Sequence, residues 1–160
     1  MGELMNLQGL ILREARREEH AALLAFEQKV IAAERPFNPA LKERDAYYYD
    51  IEALILSPDS RLVVGEIAGA IVATGYLQIR QSKASLKHER HGYLGFMYVA
   101  EQCRGLGVNR LILQDLVRWG ERQGIADFYL DVYADNISAV RAYEKFGFQG
   151  SVLEMKRSLD

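Results

Sequence analysis

The sequence predicts an α/β fold of the mixed α+β kind, one domain over residues 1–160 with a central, mixed, twisted sheet of about six to seven strands flanked by four helices. Three observations predict it. Apolar residues recur at helical spacing in four segments, and short runs rich in β-branched and aromatic residues stand between them. The resulting order is strand, two helices, three strands, helix, strand, helix, strands. A chain of 160 residues, 49% hydrophobic and 26% charged, can bury one core without disulfide or metal staples.

Leu10 to Arg13 is a short first strand. From Glu18 to Ala33, apolar residues at Ala22, Leu23, Phe26, Val30 and Ala33 have the three-and-four spacing of an amphipathic helix. Pro36 and Pro39 break it, and a second helix is expected from Leu41 to Leu56, stopped by Ser57 and Pro58. On such a helix the consecutive Tyr47, Tyr48 and Tyr49 point about 100° apart, so they cannot all be buried, and one or two face a cleft or a partly exposed packing surface. Arg61 to Glu66 and Ala70 to Ile79 read as a hairpin turning at Ile67 to Gly69. The segment from Arg80 to His91 is basic but lacks aromatics, which fits a solvated loop rather than a nucleic-acid surface. His88, Glu89 and His91 have no second ligand cluster to join, so no metal is expected.

The apolar and aromatic run from Tyr93 to Val99 is the central strand, and Arg104 to Gly107 is a strand-to-helix turn. The helix from Val108 to Gln123 places Val108, Leu111, Ile112, Leu116 and Trp119 on one face and ends at Gly124. Asp127 to Tyr133 alternates as a strand, with Phe128, Leu130 and Val132 on one face. Asp135 and Asn136 occupy N-cap positions for a helix to Phe146, closed by Gly147. Phe148 then begins a last pair of short strands that reaches Ser158 through Val152, Leu153 and Met155.

A net charge of −2 draws in neither nucleic acid nor an anionic membrane. The single cysteine, Cys103, rules out an internal disulfide framework, suits the cytoplasm and reads as an incidental small residue. MGELMNLQ lacks the basic and apolar regions of a secretion signal, and no stretch approaches a membrane span. Gly2 is not read as a myristoylation site, because Asn6 stands where Ser or Thr is required.

Glycines 105 and 107 remove Cβ atoms where the backbone must bend, and the helix they open has free N–H groups at its positive end. With Arg104 beside them they suit a phosphate or pyrophosphate, although a glycine corner can equally be only a corner. A Walker A loop needs a Lys that is absent, and a dinucleotide fingerprint needs a third Gly where Arg110 stands. Asn136 and Tyr143, seven residues apart, share one helix face. If the strand from Asp127 runs parallel to that from Tyr93, the start of this helix lies at the same sheet edge as the glycine turn. Capping by Asn136 and packing by Tyr143 would explain the two residues equally well.

Val99 followed by Arg104, Gly105, Leu106, Gly107 and Val108, and then Asp135, Asn136, Ser138, Ala139, Tyr143, Gly147 and Phe148, resembles the GNAT superfamily of N-acetyltransferases over essentially the whole chain. The resemblance implies a GNAT-like fold in which a splayed strand pair forms an acetyl-CoA cleft. It implies that Arg104, Gly105, Leu106, Gly107, Val108 and Asn109 hold the pyrophosphate through backbone N–H groups. Met97, Tyr98 and Val99, on a bulged strand, would hold the pantetheine arm and polarise the acetyl carbonyl. Asn136 would contact the coenzyme, and Tyr143 would contact it and protonate the departing thiolate. Asn109 departs from the family, which has Gly or Ala there.

The implied activity moves an acetyl group from acetyl-CoA, without a metal, to a primary amine of a small molecule or peptide by direct attack in a ternary complex. No nucleic-acid or membrane partner is expected, and homodimerisation is left open. Amine attack on a thioester also needs a proton acceptor. Glu89, His91, Glu101, Asp131, Tyr133 and a water chain all qualify by position. Pro36, Phe37, Asn38 and the tyrosine triplet are expected to line the acceptor side, with Glu34, Asp45 or Asp50 suited to a cationic amine. A coenzyme A-binding module without turnover, and a dinucleotide oxidoreductase, are the other function classes.

Overall fold

The computed structural model describes residues 7–159; residues 1–6, with the reading of Gly2 and Asn6, and residue 160 lie outside the described residues. The elements are β1 (Ile11–Glu14), α1 (His20–Glu34), α2 (Ile51–Leu56), β2 (Ser60–Ile67), β3 (Ala70–Gln81), β4 (Arg90–Val99), α3 (Val108–Arg122), β5 (Phe128–Leu130) and α4 (Ile137–Phe146). The described strands form one mixed sheet in the order β1-β2-β3-β4-β5. Neighbours are antiparallel except β4 and β5, which are parallel as a strand-helix-strand connection requires. The β2–β3 hairpin turns on Ala68 and Gly69, whose φ values of 50° and 80° give the twist that tight hairpins favour. No described helix is long and apolar enough to cross a membrane.

Strand periodicity sorts the core between the two faces of the sheet. Tyr76, Phe96 and Tyr98 point to the face covered by α1 and the tyrosine segment, where Phe26 meets Tyr98 at 4.7 Å and Tyr49 stacks on Phe96 at 4.5 Å. Gly75 and Met97 point to the other face, where a Cβ on Gly75 would sit 2.6 Å from Met97 Sδ and 2.9 Å from Ile112 of α3. Gly75 thus lets α3 lie close against the sheet, and Val108, Ile112, Leu113 and Leu116 are all buried there.

Four expectations are corrected. The helix expected from Leu41 to Leu56 begins only at Ile51. Glu27, fully buried in the middle of α1, accepts the backbone N–H groups of Tyr48 and Tyr49 at 3.0 and 2.8 Å. Those N–H groups are therefore withdrawn from any helical ladder, and Asp50 caps the short α2 by accepting the Ala53 N–H at 3.0 Å. On α3, Leu111 is 37% exposed, and Leu113 takes its place in the core at 2%. The strand expected over Asp127 to Tyr133 pairs only at Phe128–Leu130. The final strand pair from Phe148 to Ser158 is not formed: residues 149–159 are exposed and join no ladder, so the described sheet has five strands rather than six or seven. Alternation along a segment selects a face for it but supplies no neighbour to pair with.

Candidate active site

β4 pairs with β5 only at Gly92, Tyr93 and Leu94, whose partners are Phe128, Tyr129 and Leu130. Beyond Leu94 the two strands part, while β4 continues to Val99 with no described strand on that side. On its other side β4 bulges. Thr74 pairs with Tyr98 and Tyr76 with Gly95, so Phe96 and Met97 stand opposite the single residue Gly75. Phe96 has φ 54°, unusual for a non-glycine, and its 2%-exposed ring is held by Tyr49. The bulge takes Phe96 and Met97 out of one-to-one pairing with β3, beside the gap opened by β5, and pairing resumes at Tyr98 and Val99.

The chain then passes a 3-10 turn at Glu101–Cys103 and reaches the glycines. Gly105 and Gly107 have φ of 78° and 82°, and no atom lies within 4 Å of where a Cβ on either would sit. The turn therefore encloses open space rather than filling a packing contact. Gly107 is the N-cap of α3, whose first turn closes with the Leu111 N–H donating to the Gly107 carbonyl at 3.2 Å, so the N–H groups of Val108, Asn109 and Arg110 precede the helical ladder. The turn is anchored by the buried side chains of Val108 and Cys103, and Cys103 is thereby a packing residue. Leu106 is exposed, and Asn109 is half-buried just inside the helix. Arg104 ties turn to strand: its Nε donates to the Val99 carbonyl at 3.0 Å.

Because β4 and β5 are parallel, the start of α4 comes to the same sheet edge as the turn. Asn136 is its N-cap, with Oδ1 accepting the Ala139 N–H at 3.3 Å. The cap uses the oxygen and leaves the side-chain NH2 outside it. Tyr143 lies on the same face, half-buried against Phe148. Burial, and secondarily the charge of Glu34, push its pKa up to about 12, so its hydroxyl stays protonated at neutral pH.

Glu34 ends α1 and begins a second cluster. Burial raises its carboxyl above the ordinary range, an effect partly opposed by the Tyr48 hydroxyl. That hydroxyl is itself buried and makes no hydrogen bond of good geometry, although Glu34 and Tyr133 both act on it. After α1, Phe37 stacks on Tyr133 at 6.1 Å, and Asn38 Nδ2 donates to the Tyr133 hydroxyl at 2.9 Å. Glu34, Tyr48, Tyr133 and Tyr143 thus converge from four separate parts of the chain.

Residues 25–148 match the model of the Acetyltransferase (GNAT) family. The chain belongs to the GNAT family. It is 28% identical over 115 residues to an N-alpha-acetyltransferase of Sulfolobus acidocaldarius, covering 69% of this chain and 68% of that one. It is 34% identical over 58 residues to an uncharacterized N-acetyltransferase of Bacillus subtilis, a match to 36% of this chain that spans only 24% of that relative's length. Among solved structures, a mutant Bacillus halodurans protein superposes with TM-score 0.83 at 21% identity, over 93% of this chain and 99% of the other. A predicted acetyltransferase from Clostridium acetobutylicum, solved with acetyl-CoA, gives 0.72 at 19% identity, over 92% and 96%.

Within this GNAT chain the proton-acceptor candidates separate in space. Glu89 and His91 lie at the opposite end of β4, His91 being about 20 Å along the strand from Met97. Ser82 Oγ lies 2.6 Å from His88 Nδ1 and 2.9 Å from His91 Nδ1, which fixes both histidines there. Asp131 accepts the Tyr93 hydroxyl at 2.7 Å, Glu101 is exposed in the 3-10 turn, and Tyr133 joins the Glu34 cluster. Asp45 and Asp50 are exposed and outside that cluster, as is Pro36. The sequence reading missed Glu27, although a carboxylate between Leu23 and Val30 on an apolar stripe is itself a signal of buried work. It also could not place the bulge at Phe96, which only the register with β3 reveals.

Proposed function

We propose that this GNAT-family chain is a single-domain N-acetyltransferase that carries an acetyl group from acetyl-CoA to a primary amine in a ternary complex. The parting of β4 from β5 beside two left-handed glycines with open space around them is the observation that carries this reading. A diphosphate fits where no Cβ intrudes, against the free N–H groups at 108–110, and an extended arm fits between the parted strands. Acetyl-CoA supplies an acetyl thioester. Backbone N–H groups of Met97, Tyr98 and Val99 stabilise negative charge developing on its carbonyl oxygen. The amine nitrogen bonds to the carbonyl carbon as the C–S bond breaks, and Tyr143 gives its proton to the departing sulfur. The half-buried NH2 of Asn136 holds the arm in register, and Arg104 and Leu106 shape the turn.

On the acceptor side, Glu34 and the buried Tyr48 hydroxyl beside it offer a desolvated carboxylate and a polar atom to an incoming amine. Glu34 binds the ammonium form and, with its raised pKa, takes up the proton lost on attack. The name of the Sulfolobus relative favours including peptide α-amines among the acceptors. The test is a panel of small amines and peptide N-termini incubated with acetyl-CoA, with free thiol as readout. Release of thiol with at least one acceptor is expected; a flat panel together with a melting curve unmoved by acetyl-CoA overturns the reading.

A further inference from the structure

α3 begins at the glycine turn and ends 15 residues later beside a separate cavity of about 280 Å³. The length of the helix, about 22 Å, separates this cavity from the turn. Ile55 and Ser57 come to it from the end of α2, Trp119 and Gln123 from the end of α3, and Glu14 and Arg61 from strands β1 and β2. None of these residues belongs to the site described above.

The charges around the cavity favour one sign of ligand. Arg61 is held by two carboxylates: its Nε and one terminal nitrogen donate to Asp115 at 2.8 and 3.3 Å, and the other terminal nitrogen donates to Glu14 Oε1 at 3.0 Å. Arg13, next to Glu14 in the chain, is likewise shared by Glu19 and Glu66 at 2.8 and 2.7 Å. Four carboxylates thus meet two guanidinium groups, an excess of two negative charges. The Glu14 side chain is 70% exposed and binds Arg61 through Oε1, which leaves Oε2 open to a ligand. The C-terminal end of α3 adds the negative pole of a helix dipole. Arg122 closes the same helix turn, but it is exposed and does not line the cavity. Ser60 Oγ, in the cavity wall, is buried without a hydrogen-bond partner, an acceptor that a bound N–H donor would satisfy. Trp119 supplies aromatic surface, which attracts cations.

We propose that this cavity is a second ligand site, built for a small organic cation that carries a guanidinium head on a short apolar stem. The head lies against the Trp119 indole and donates to the open Glu14 oxygen, and the stem lies along Ile55 and Pro58. A guanidinium fits better than an ammonium because it is planar, stacks on aromatic rings, forks onto carboxylates and is more weakly hydrated. The volume is at the lower end of the range for small-molecule sites, so the ligand is a free small molecule of few atoms. Such a cation has no primary amine to acetylate, so occupancy here is independent of acyl transfer.

Trp119 is the one tryptophan of the chain, so its fluorescence reports on this cavity. n-Butylguanidinium titrated into the full chain to about 20 mM is expected to change that emission saturably, with half-saturation at about 1 mM or below. Neutral n-butylurea, of nearly the same shape, is expected to bind about tenfold more weakly. Glu14→Gln leaves Arg61 on Asp115 and is expected to weaken n-butylguanidinium about fivefold, with the melting temperature of the unliganded variant verifying its fold. Trp119→Phe, followed by calorimetry, is expected to weaken it too, since Phe is the poorer cation–π partner. An emission that does not saturate, n-butylurea bound as tightly as n-butylguanidinium, or an undiminished affinity in Glu14→Gln overturns the proposal. Binding that is lost in Glu34→Gln and kept in Glu14→Gln also overturns it, by placing the cation on the acceptor side.

Discussion

The proposed donor half and the proposed acceptor half of the site are built by opposite means. The donor half is the short run from Met97 to Asn109, and it works almost entirely through backbone: a bulge, two left-handed glycines and the open end of α3. The acceptor half is made of side chains from the end of α1, from the irregular stretch holding Tyr48, and from Tyr133, with Asn38 and its partner Tyr133 standing 95 positions apart. Backbone groups are the same whatever residue carries them, so the donor half tolerates side-chain exchange but not an added Cβ at a glycine. The acceptor half has the reverse sensitivity. A fold can therefore keep one donor half while its acceptor half is rebuilt.

Tyr143 stands where the halves meet, and it gives the largest expected effect. Tyr143→Phe keeps the ring and its packing but removes the acid, so kcat should fall by about 10² to 10⁴ with little change in the apparent affinity for acetyl-CoA. With the parent hydroxyl titrating at about 12, the parent should hold its acid-dependent activity to high pH, and the variant should show no such alkaline limb. Turnover within about threefold of the parent would move Tyr143 to a packing role.

The donor half breaks most cleanly at Gly107. Acetyl-CoA at about 100 times its dissociation constant should stabilise the parent by about 2.7 kcal/mol, a rise of roughly 5 to 10 °C in Tm. Gly107→Val places a β-branched side chain at φ 82° and in the space a ligand would use. The shift should vanish while the unliganded protein stays folded; an undiminished shift would place the coenzyme elsewhere.

Glu27 tests whether the acceptor half stands independently. Glu27→Ala leaves the Tyr48 and Tyr49 N–H groups unpaired and should lower stability by about 2 kcal/mol, roughly 4 to 8 °C in Tm. KM for the amine should rise while the acetyl-CoA melting shift persists. Equal loss of both would show that the two halves form one cooperative unit.

A smaller effect is expected from Tyr133→Phe, which removes the acceptor of the Asn38 bond, worth about 1 kcal/mol. That corresponds to about fivefold in KM for the amine, with kcat and acetyl-CoA binding unchanged.

The smallest effect concerns stability alone. The Glu34 carboxyl is raised by burial, so its favourable contribution is present below its ordinary pKa of 4.5 and is lost as pH rises through the folded value. Its ionised form is a net cost at pH 7. Glu34→Gln should therefore leave Tm at pH 7 unchanged or slightly higher, with the difference closing below pH 4, even as KM for a cationic amine rises. A marked loss of Tm at pH 7 would make Glu34 a structural anchor instead.

By itself the sequence determined the element order as far as α4, the parallel strand-helix-strand unit, the glycine turn and the N-cap at Asn136. These rest on short-range rules: periodicity selects helix or strand, glycine permits a left-handed turn, and a cap lies three residues from the N–H it accepts. Tertiary structure decided the rest. Tyr47 to Tyr49 carry helix-compatible spacing, yet the buried carboxylate of Glu27, some twenty residues away, takes the N–H groups of Tyr48 and Tyr49 and holds the segment irregular. The bulge at Phe96 exists only as a mismatch with β3, and the gathering of Glu34, Tyr48, Tyr133 and Tyr143 depends on where α1 and α4 end relative to the sheet. Leu153, Met155 and Leu159 alternate as a strand should, but a ladder needs a second backbone at about 4.8 Å, and no local pattern specifies which chain provides it.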